Sequence, residues 1–260
     1  MKTDSVVDAG FCSDTFSESV FFCAFWYSAY MKEEIFCVHT GPFQINTWII
    51  VLDGVHALVV DPAACEVCGD SRRITGAIAE RNLVPVAFIL THGHFDHIAG
   101  TRSLKELYPA VPLVCHAEDF AICGVHAAEA QGGTLRDMGL EELVDAMRGL
   151  PDPDVLVRGE PFLSDVIQTE DESVRALLAE WQFLHTPGHT RGSMCLYNKK
   201  AGLLFSGDTV FYRTHGRTDL AGGSLKDMML TLNRLYTTLP QETLVFPGHD
   251  AAGFALSENL

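Results

Sequence analysis

The 260-residue sequence is short of basic charge: 18 Lys and Arg stand against 34 Asp and Glu, a formal net charge of −16. No basic block offsets this locally, since Lys199-Lys200 and Arg72-Arg73 are the only such pairs. A field of that sign repels polyphosphate, which excludes nucleic acid and anionic membrane as expected partners. Long apolar runs are also missing. The longest near the N-terminus, Val20 to Met31, is 12 residues interrupted by Ser28, against the ~20 that a membrane helix requires. Lys2 is followed by Asp4, Asp8, Asp14 and Glu18, the wrong flank for an export signal. Eight cysteines, at 12, 23, 37, 65, 68, 115, 123 and 195, are too few and too scattered for a disulfide scaffold. A reduced, cytoplasmic chain is expected. With 47% apolar and 20% charged residues, the composition is that of a globular protein with a sizeable core.

Residues 1–32 read as an extension, dense in aromatics (Phe21, Phe22, Phe25, Trp26, Tyr27, Tyr30) and expected to dock on the domain or on another subunit. From Ile35 the pattern turns to strands. Segments 35–39 and 45–52 are β-branched and aromatic, and Asp53-Gly54 signals a hairpin into His56–Val60. A helix is expected over 74–81, a buried strand over 86–90, a second helix over 98–108 and a short strand over 111–115. Residues 117–160 read as a mostly helical insertion, with Thr134–Asp137 as a capping box. Strands return at 181–185, 194–197, 202–206 and 243–246, and Ser224 opens a helix to about Leu239. The alternation predicts one α/β domain, residues 33–260, with sheets covered by helices.

Four of these strands end alike: a turn with Gly or Pro follows, and it carries metal-type ligands. Val86–Leu90 leads into His92-Gly93-His94-Phe95-Asp96-His97; Trp181–His185 into Pro187-Gly188-His189-Thr190; Leu203–Ser206 into Gly207-Asp208-Thr209; Thr243–Phe246 into Pro247-Gly248-His249. Ligands gather outside strand ends in layered α/β folds. In an extended segment, residues 92, 94 and 96 share one side. His92 and His94 are therefore expected to serve one metal, and Asp96 with His97 a neighbour. A Pro-Gly-His or Gly-Asp turn alone is commonly just a turn; the weight lies in four of them together. Cys65-Glu66-Val67-Cys68 is a lone C-x-x-C, open between ordinary thiols, a redox pair and a metal site.

The combination His92-x-His94-x-Asp96-His97, Pro187-Gly188-His189-Thr190, Ser206-Gly207-Asp208-Thr209 and Pro247-Gly248-His249 resembles the metallo-β-lactamase-fold hydrolases. Thr186–Tyr197 and Gly216–Ser224 bring it nearest to their glyoxalase II-like (hydroxyacylglutathione hydrolase-like) branch. The resemblance spans residues 33–260 and implies an αββα four-layer sandwich. It implies that His92, His94 and His189 hold one metal, that Asp96, His97 and His249 hold a second, and that Asp208 bridges them. Nitrogen and oxygen donors without thiolate suit two divalent ions, zinc first, with iron or manganese also fitting.

The implied activity is hydrolysis of a small thioester, an S-2-hydroxyacylglutathione or related thiol ester, by a metal-bridging hydroxide that Asp96 can help orient. Arg217, nine residues after Asp208, is either a cation for an anionic substrate or a partner of Asp219. The alternative activity is a persulfide dioxygenase with one iron on His92, His189 and Asp208; a lactonase and a non-catalytic metal module rank lower. Segments 1–32 and 117–160 are expected to wall the pocket.

Overall fold

The computed structural model describes residues 34–259. The extension expected at 1–32 lies outside them. Strands β1 (Glu34–Thr40), β2 (Ile45–Val51) and β3 (His56–Val60) form an antiparallel meander. Parallel additions β4 (Val84–Ile89), β5 (Leu113–His116) and β6 (Val155–Val157) complete a sheet of order β1-β2-β3-β4-β5-β6. The second sheet, of order β11-β10-β9-β8-β7, contains β7 (Trp181–His185), β8 (Met194–Asn198), β9 (Leu203–Gly207), β10 (Leu244–Pro247) and the two-residue β11 (Phe254–Ala255).

Alternation along the strands divides the core into three layers, because successive side chains leave a strand on opposite faces. Trp48, Ile50, Leu58 and Ile89 point from the first sheet toward Trp181, Phe183, Leu196 and Phe205 of the second. Trp48 meets Phe205 and Phe246 edge-on at 5.8 and 5.2 Å. Ile49, Val59, Phe88 and Leu113 take the opposite face and pack against Ile74 and Ile78 of α1 (Arg73–Glu80) and against Leu104. On the outer face of the second sheet, Leu184, Cys195 and Val245 pack on Met228, Leu232 and Leu235 of the helix Leu225–Thr238. The result is helix, sheet, sheet, helix: the αββα sandwich. Both faces of β2 are covered, and all seven of its residues are buried.

Several local expectations change. The helix expected over 98–108 is two pieces, α2 (Phe95–Ile98) and α3 (Thr101–Leu107). Gly100 lies between them, its N–H bonded to Pro62 O at 2.8 Å, and an added Cβ would lie 2.7 Å from Ala64 O. The extended reading of 92–97 ends at His94, so Asp96 and His97 lie on a helical turn. Segment 117–160 holds two 3-10 turns (Ala117–Ile122, Gly124–His126), helices α4 (Ala127–Asp137) and α5 (Glu141–Ala146), and then β6, which pairs with β5. Thr134–Asp137 is the last turn of α4, not a capping box. Gly139, at φ 74°, stops that helix while Leu140 N–H bonds Leu135 O. Ser224 does cap its helix, its hydroxyl accepting from Asp227 N–H. Among the described residues, no helix is long and apolar enough to cross a membrane.

Gly100→Ala forces a methyl group against two backbone carbonyls. The expected cost is about 1–3 kcal/mol, read as a fall of several degrees in Tm. An unchanged Tm would show that the α2–α3 junction relaxes freely.

Candidate metal centre

Each motif-bearing turn leaves its strand at the same end of the sandwich. His92 and His94 follow β4, His189 follows β7, Asp208 follows β9 and His249 follows β10. Their side chains converge with Asp96 and His97 of α2. His94 Nδ1 and His92 Nε2 lie 2.8 and 3.2 Å from His189 Nε2. Asp208 Oδ2 lies 3.5 Å from both His189 Nε2 and His249 Nε2, and Asp208 Oδ1 lies 3.4 Å from His97 Nε2. Asp96 Oδ2 is 3.6 Å from His249 Nε2. Tetrahedral ligands at 2.0–2.1 Å from a zinc ion would stand roughly 3.3 Å apart. His92, His94 and His189 form one donor group, Asp96, His97 and His249 a second, and His92, His97 and Asp208 a third between them.

The hydrogen bonds on the outer side of the rings fix which nitrogen faces inward. His189 Nδ1 donates to the backbone carbonyl of Arg217 at 2.7 Å. His97 Nδ1 donates to Asp61 Oδ2 at 2.9 Å. The Thr91 hydroxyl donates to Asp61 Oδ2 at 2.7 Å and so accepts from His92 Nδ1 at 3.1 Å. In all three rings the second nitrogen then points into the cluster, the arrangement that metal-ligating histidines use.

Burial, and then the neighbouring imidazoles, hold His92 and His94 well below the usual histidine range, so both are neutral. Burial also opposes charge on His97, but Asp208, Asp61 and Asp96 outweigh it and hold the ring well above its usual range. Burial pushes Asp96 up. It acts on Asp208 in the same sense, yet His97 and His249 win and keep that carboxylate well below its usual range. Asp208 is thus an anion among imidazoles, with one face left for a cation.

The residues fit divalent metal ions on three observations. The donors are nitrogen and oxygen, suited to zinc, iron or manganese. His97 Nε2 and Asp208 Oδ1 are buried without a hydrogen-bond partner, a cost that a ligated cation removes. A Cβ on Gly248 would lie 2.5 Å from His97 Cε1 and 2.6 Å from Asp208 Oδ1, so only glycine lets that backbone pass. His249 is the most open of the ligand-type side chains in these ion pairs, 21% exposed, while His97 is fully buried. The cluster therefore opens to solvent on the His249 side.

All seven His and Asp side chains expected at the centre meet there. Arg217 does not: its guanidinium is paired with Asp219 at 2.7 and 2.8 Å, and only its carbonyl serves the cluster, through His189. This is the second of the two readings open from sequence. Asp219 is held down to about 2 by that pair, so the pair is ionised at neutral pH. At the C-x-x-C, Cys65 and Cys68 face each other at 3.1 Å. Burial and then the Cys65 bond push Cys68 up to about 12, which keeps it a thiol.

Sequence reading missed the residues that brace the centre. Asp61 ends β3 as the ligands end their strands, and that position was its only signal. Asp119 accepts from Gly93 N–H, Gly192 N–H and the Thr190 hydroxyl at 2.9, 2.7 and 2.7 Å, tying the His92 loop to the His189 loop. Gln131 of α4 accepts from Phe95 N–H and donates to Gly93 O. Asn46 and Trp48 donate to Pro247 O and position His249. Asp119 and Gln131 belong to segment 117–160, and nothing in their local sequence marks them.

An αββα sandwich with a His/Asp cluster at its strand ends defines a class of metal-binding α/β protein. The profile of the metallo-beta-lactamase superfamily matches residues 40–249. The chain belongs to that superfamily. It is 31% identical over 218 residues to "Probable metallo-hydrolase YqgX" of Bacillus subtilis (strain 168), covering 84% of this chain and 90% of that protein. Two solved structures are also similar. BLEG-1 B3 metallo-beta-lactamase has a TM-score of 0.69 at 26% identity and covers 86% of this chain and 95% of its own. TTHA1623 in a di-iron-bound form has a TM-score of 0.64 at 28% identity, with coverage of 86% and 96%.

Asp61→Ala removes the carboxylate that orients His97 and, through Thr91, His92. Divalent-metal affinity, measured by competition with a chromophoric chelator, is expected to fall about 10–100-fold while the fold persists. Wild-type affinity in this variant would show that the rings hold their orientation without it.

Proposed function

We propose that the protein is a dinuclear metal-dependent hydrolase of a small thioester, of the glyoxalase II-like type. The observation that carries this is the position of Asp208 Oδ2, 3.5 Å from one histidine of each donor group. A single carboxylate oxygen between two three-ligand sets is the geometry of a shared ligand. The likeness to a protein named as a metallo-hydrolase and to one with a di-iron-bound form supports a hydrolytic, two-ion reading. The motifs at 186–197 and 216–224 favour the thioester branch.

Two bound divalent ions, zinc or iron, would supply Lewis acidity and a water whose pKa falls from 15.7 toward ~7. His92, His94 and His189 would hold the first and Asp96, His97 and His249 the second, with Asp208 shared. His92 and His94 are neutral, so their lone pairs are available near pH 7 without prior loss of a proton. His97 is held above its usual range beside Asp208; a bound metal would have to displace the proton from its Nε2, so metal uptake is expected to weaken as pH falls. Asp96, whose carboxylate burial pushes up, faces His249 and would orient the attacking water and accept its proton. A thiolate is a good leaving group, so its departure would need no strong general acid. Phe43 and Phe211, near Phe95 and His249 at 5.7 and 6.0 Å, offer apolar rims for an acyl chain. Arg217 reaches an anionic substrate only by exchanging Asp219 for a ligand carboxylate.

Elemental analysis of the purified protein, with a turnover screen of S-lactoylglutathione, simpler thioesters, lactones and glutathione persulfide, tests the proposal. Two ions per chain and thioester turnover are expected. Asp208→Ala is expected to lose one or both ions and to lower kcat/KM by roughly 10²–10³ or more. One iron per chain with persulfide-dependent oxygen uptake would replace this reading with the dioxygenase. Wild-type metal content and turnover in Asp208→Ala would end the shared-ligand assignment.

A further inference from the structure

The C-x-x-C lies on the loop between β3 and α1 and takes no part in the His/Asp centre. Its backbone folds into a turn. Asp70 N–H bonds Cys65 O at 3.3 Å, Gly69 N–H bonds Glu66 O at 2.9 Å, and Gly69 takes φ 71°. Glycine enters that left-handed region without a Cβ clash. The turn carries Cys68 back over Cys65, whose thiol donates to Cys68 Sγ at 3.1 Å. Two residues between cysteines is also the ligand spacing of structural zinc sites.

A buried carboxylate joins the two thiols. Asp70 is 8% exposed and closes the same loop, accepting from Cys65 N–H at 2.8 Å through Oδ1 and from Gly41 N–H at 2.6 Å through Oδ2. Among the described residues it forms no ion pair. Carboxylates taken out of water are paired with a cation or coordinate a metal. Each oxygen of Asp70 accepts one N–H, which leaves each a further lone pair. One donor atom from each of Cys65, Cys68 and Asp70 lies within 4.8 Å of the other two. Thiolates at 2.3 Å from a tetrahedral zinc ion stand about 3.8 Å apart, so the sulfurs need to separate by less than an ångström. Cys68 is half-buried and can turn outward by that much, whereas Cys65 is buried. The other pair of neighbouring thiols, Cys115 and Cys123 at 3.5 Å, is fully buried and joins no such three-donor group.

We infer that Cys65, Cys68 and Asp70 form a metal site apart from the His/Asp centre, which takes one thiophilic divalent cation, zinc, with water as the fourth ligand on the Cys68 side. Thiolate donors select zinc over the hard cations magnesium, calcium and manganese. Uptake is an exchange: zinc displaces both thiol protons to solvent, and the two thiolates and one carboxylate leave a complex with one net negative charge. Zinc uptake therefore weakens as pH falls. The ion fastens the loop to the β1–β2 turn, because Asp70 already holds Gly41 N–H. The same loop starts at Asp61, which orients His97 and Thr91, and its Pro62 carbonyl holds Gly100. The site is thus a clamp on the segment that braces the centre and lends the centre no ligand. It does not rest on the proposed hydrolysis and can be read without turnover.

The full chain, reduced and stripped of metal, is titrated with cobalt(II), whose thiolate ligands give a near-ultraviolet charge-transfer band that nitrogen and oxygen ligands do not. No thiol belongs to the His/Asp centre, so the band reports sulfur ligation alone. A band that saturates at one thiolate-bound ion per chain and is discharged by zinc is expected. Cys68→Ser should abolish it; the residue is half-buried and serine is nearly its size, so the fold is retained. Cys37→Ser, which removes the other half-buried thiol among the described residues, should leave the band unchanged. Asp70→Asn should weaken cobalt binding at this site at least 10-fold. Absence of the band, or a wild-type band in Cys68→Ser, overturns the inference. So does oxidation of Cys65 and Cys68 to a disulfide at the same rate with and without zinc. Wild-type affinity in Asp70→Asn overturns the carboxylate assignment. The two ions expected of the His/Asp centre are those that remain in Cys68→Ser. Absence of any thioester turnover would fail the hydrolase proposal and leave the cobalt result standing.

Discussion

One buried carboxylate organises the chemistry of this protein. Asp61 sits at the end of β3 with φ 52°, 1% exposed, and accepts from Thr91 N–H, the Thr91 hydroxyl and His97 Nδ1. Three donors at one carboxylate satisfy a group that would otherwise be costly to bury. The same bonds turn His97 and His92 so that their second ring nitrogens face inward. Lone pairs of several imidazoles pointed at one another are unfavourable in a low-dielectric interior. A protein that holds them there is arranged around a cation.

The bracing extends across the molecule in a consistent way. Asp119 and Gln131 tie the 92–95 loop to segment 117–160, Asn46 and Trp48 tie the 247–250 loop to β2, and Arg217 O holds His189. Each ligand-type residue stands on a turn at a strand end, and each turn is fixed by a polar group from a different element. Such over-determination is what pre-organises a site on loops. The glycines at the closest approaches serve the same purpose: Gly207, at φ 49°, leaves an added Cβ only 2.2 Å from the Thr91 hydroxyl.

Much of the architecture could be read from residue patterns. Segments 35–39, 45–52 and 56–60 became strands because β-branched and aromatic residues cluster between clear turn signals. The helix opened by Ser224 followed from its cap. Short elements escaped. β6 has three residues and gains its identity only by pairing with β5. Thr134–Asp137 fits a capping pattern, yet tertiary packing of Leu135 and the stop at Gly139 made it the end of a helix. The split between α2 and α3 depends on the carbonyls of Pro62 and Ala64, some 35 residues away in sequence, which no local pattern contains.

Sequence alone determined which residues could bind metal, because histidine and aspartate at four strand ends are chemically legible one motif at a time. It also determined the layered class, since apolar alternation dictates which faces must be covered. Only the tertiary structure decided that Asp208 stands midway between two donor groups, that Arg217 gives its charge to Asp219, and that Asp61, Asp119 and Gln131 brace the centre. Those outcomes depend on distances between segments far apart in the chain, and a distance across the fold is a property of packing that no stretch of residues carries by itself.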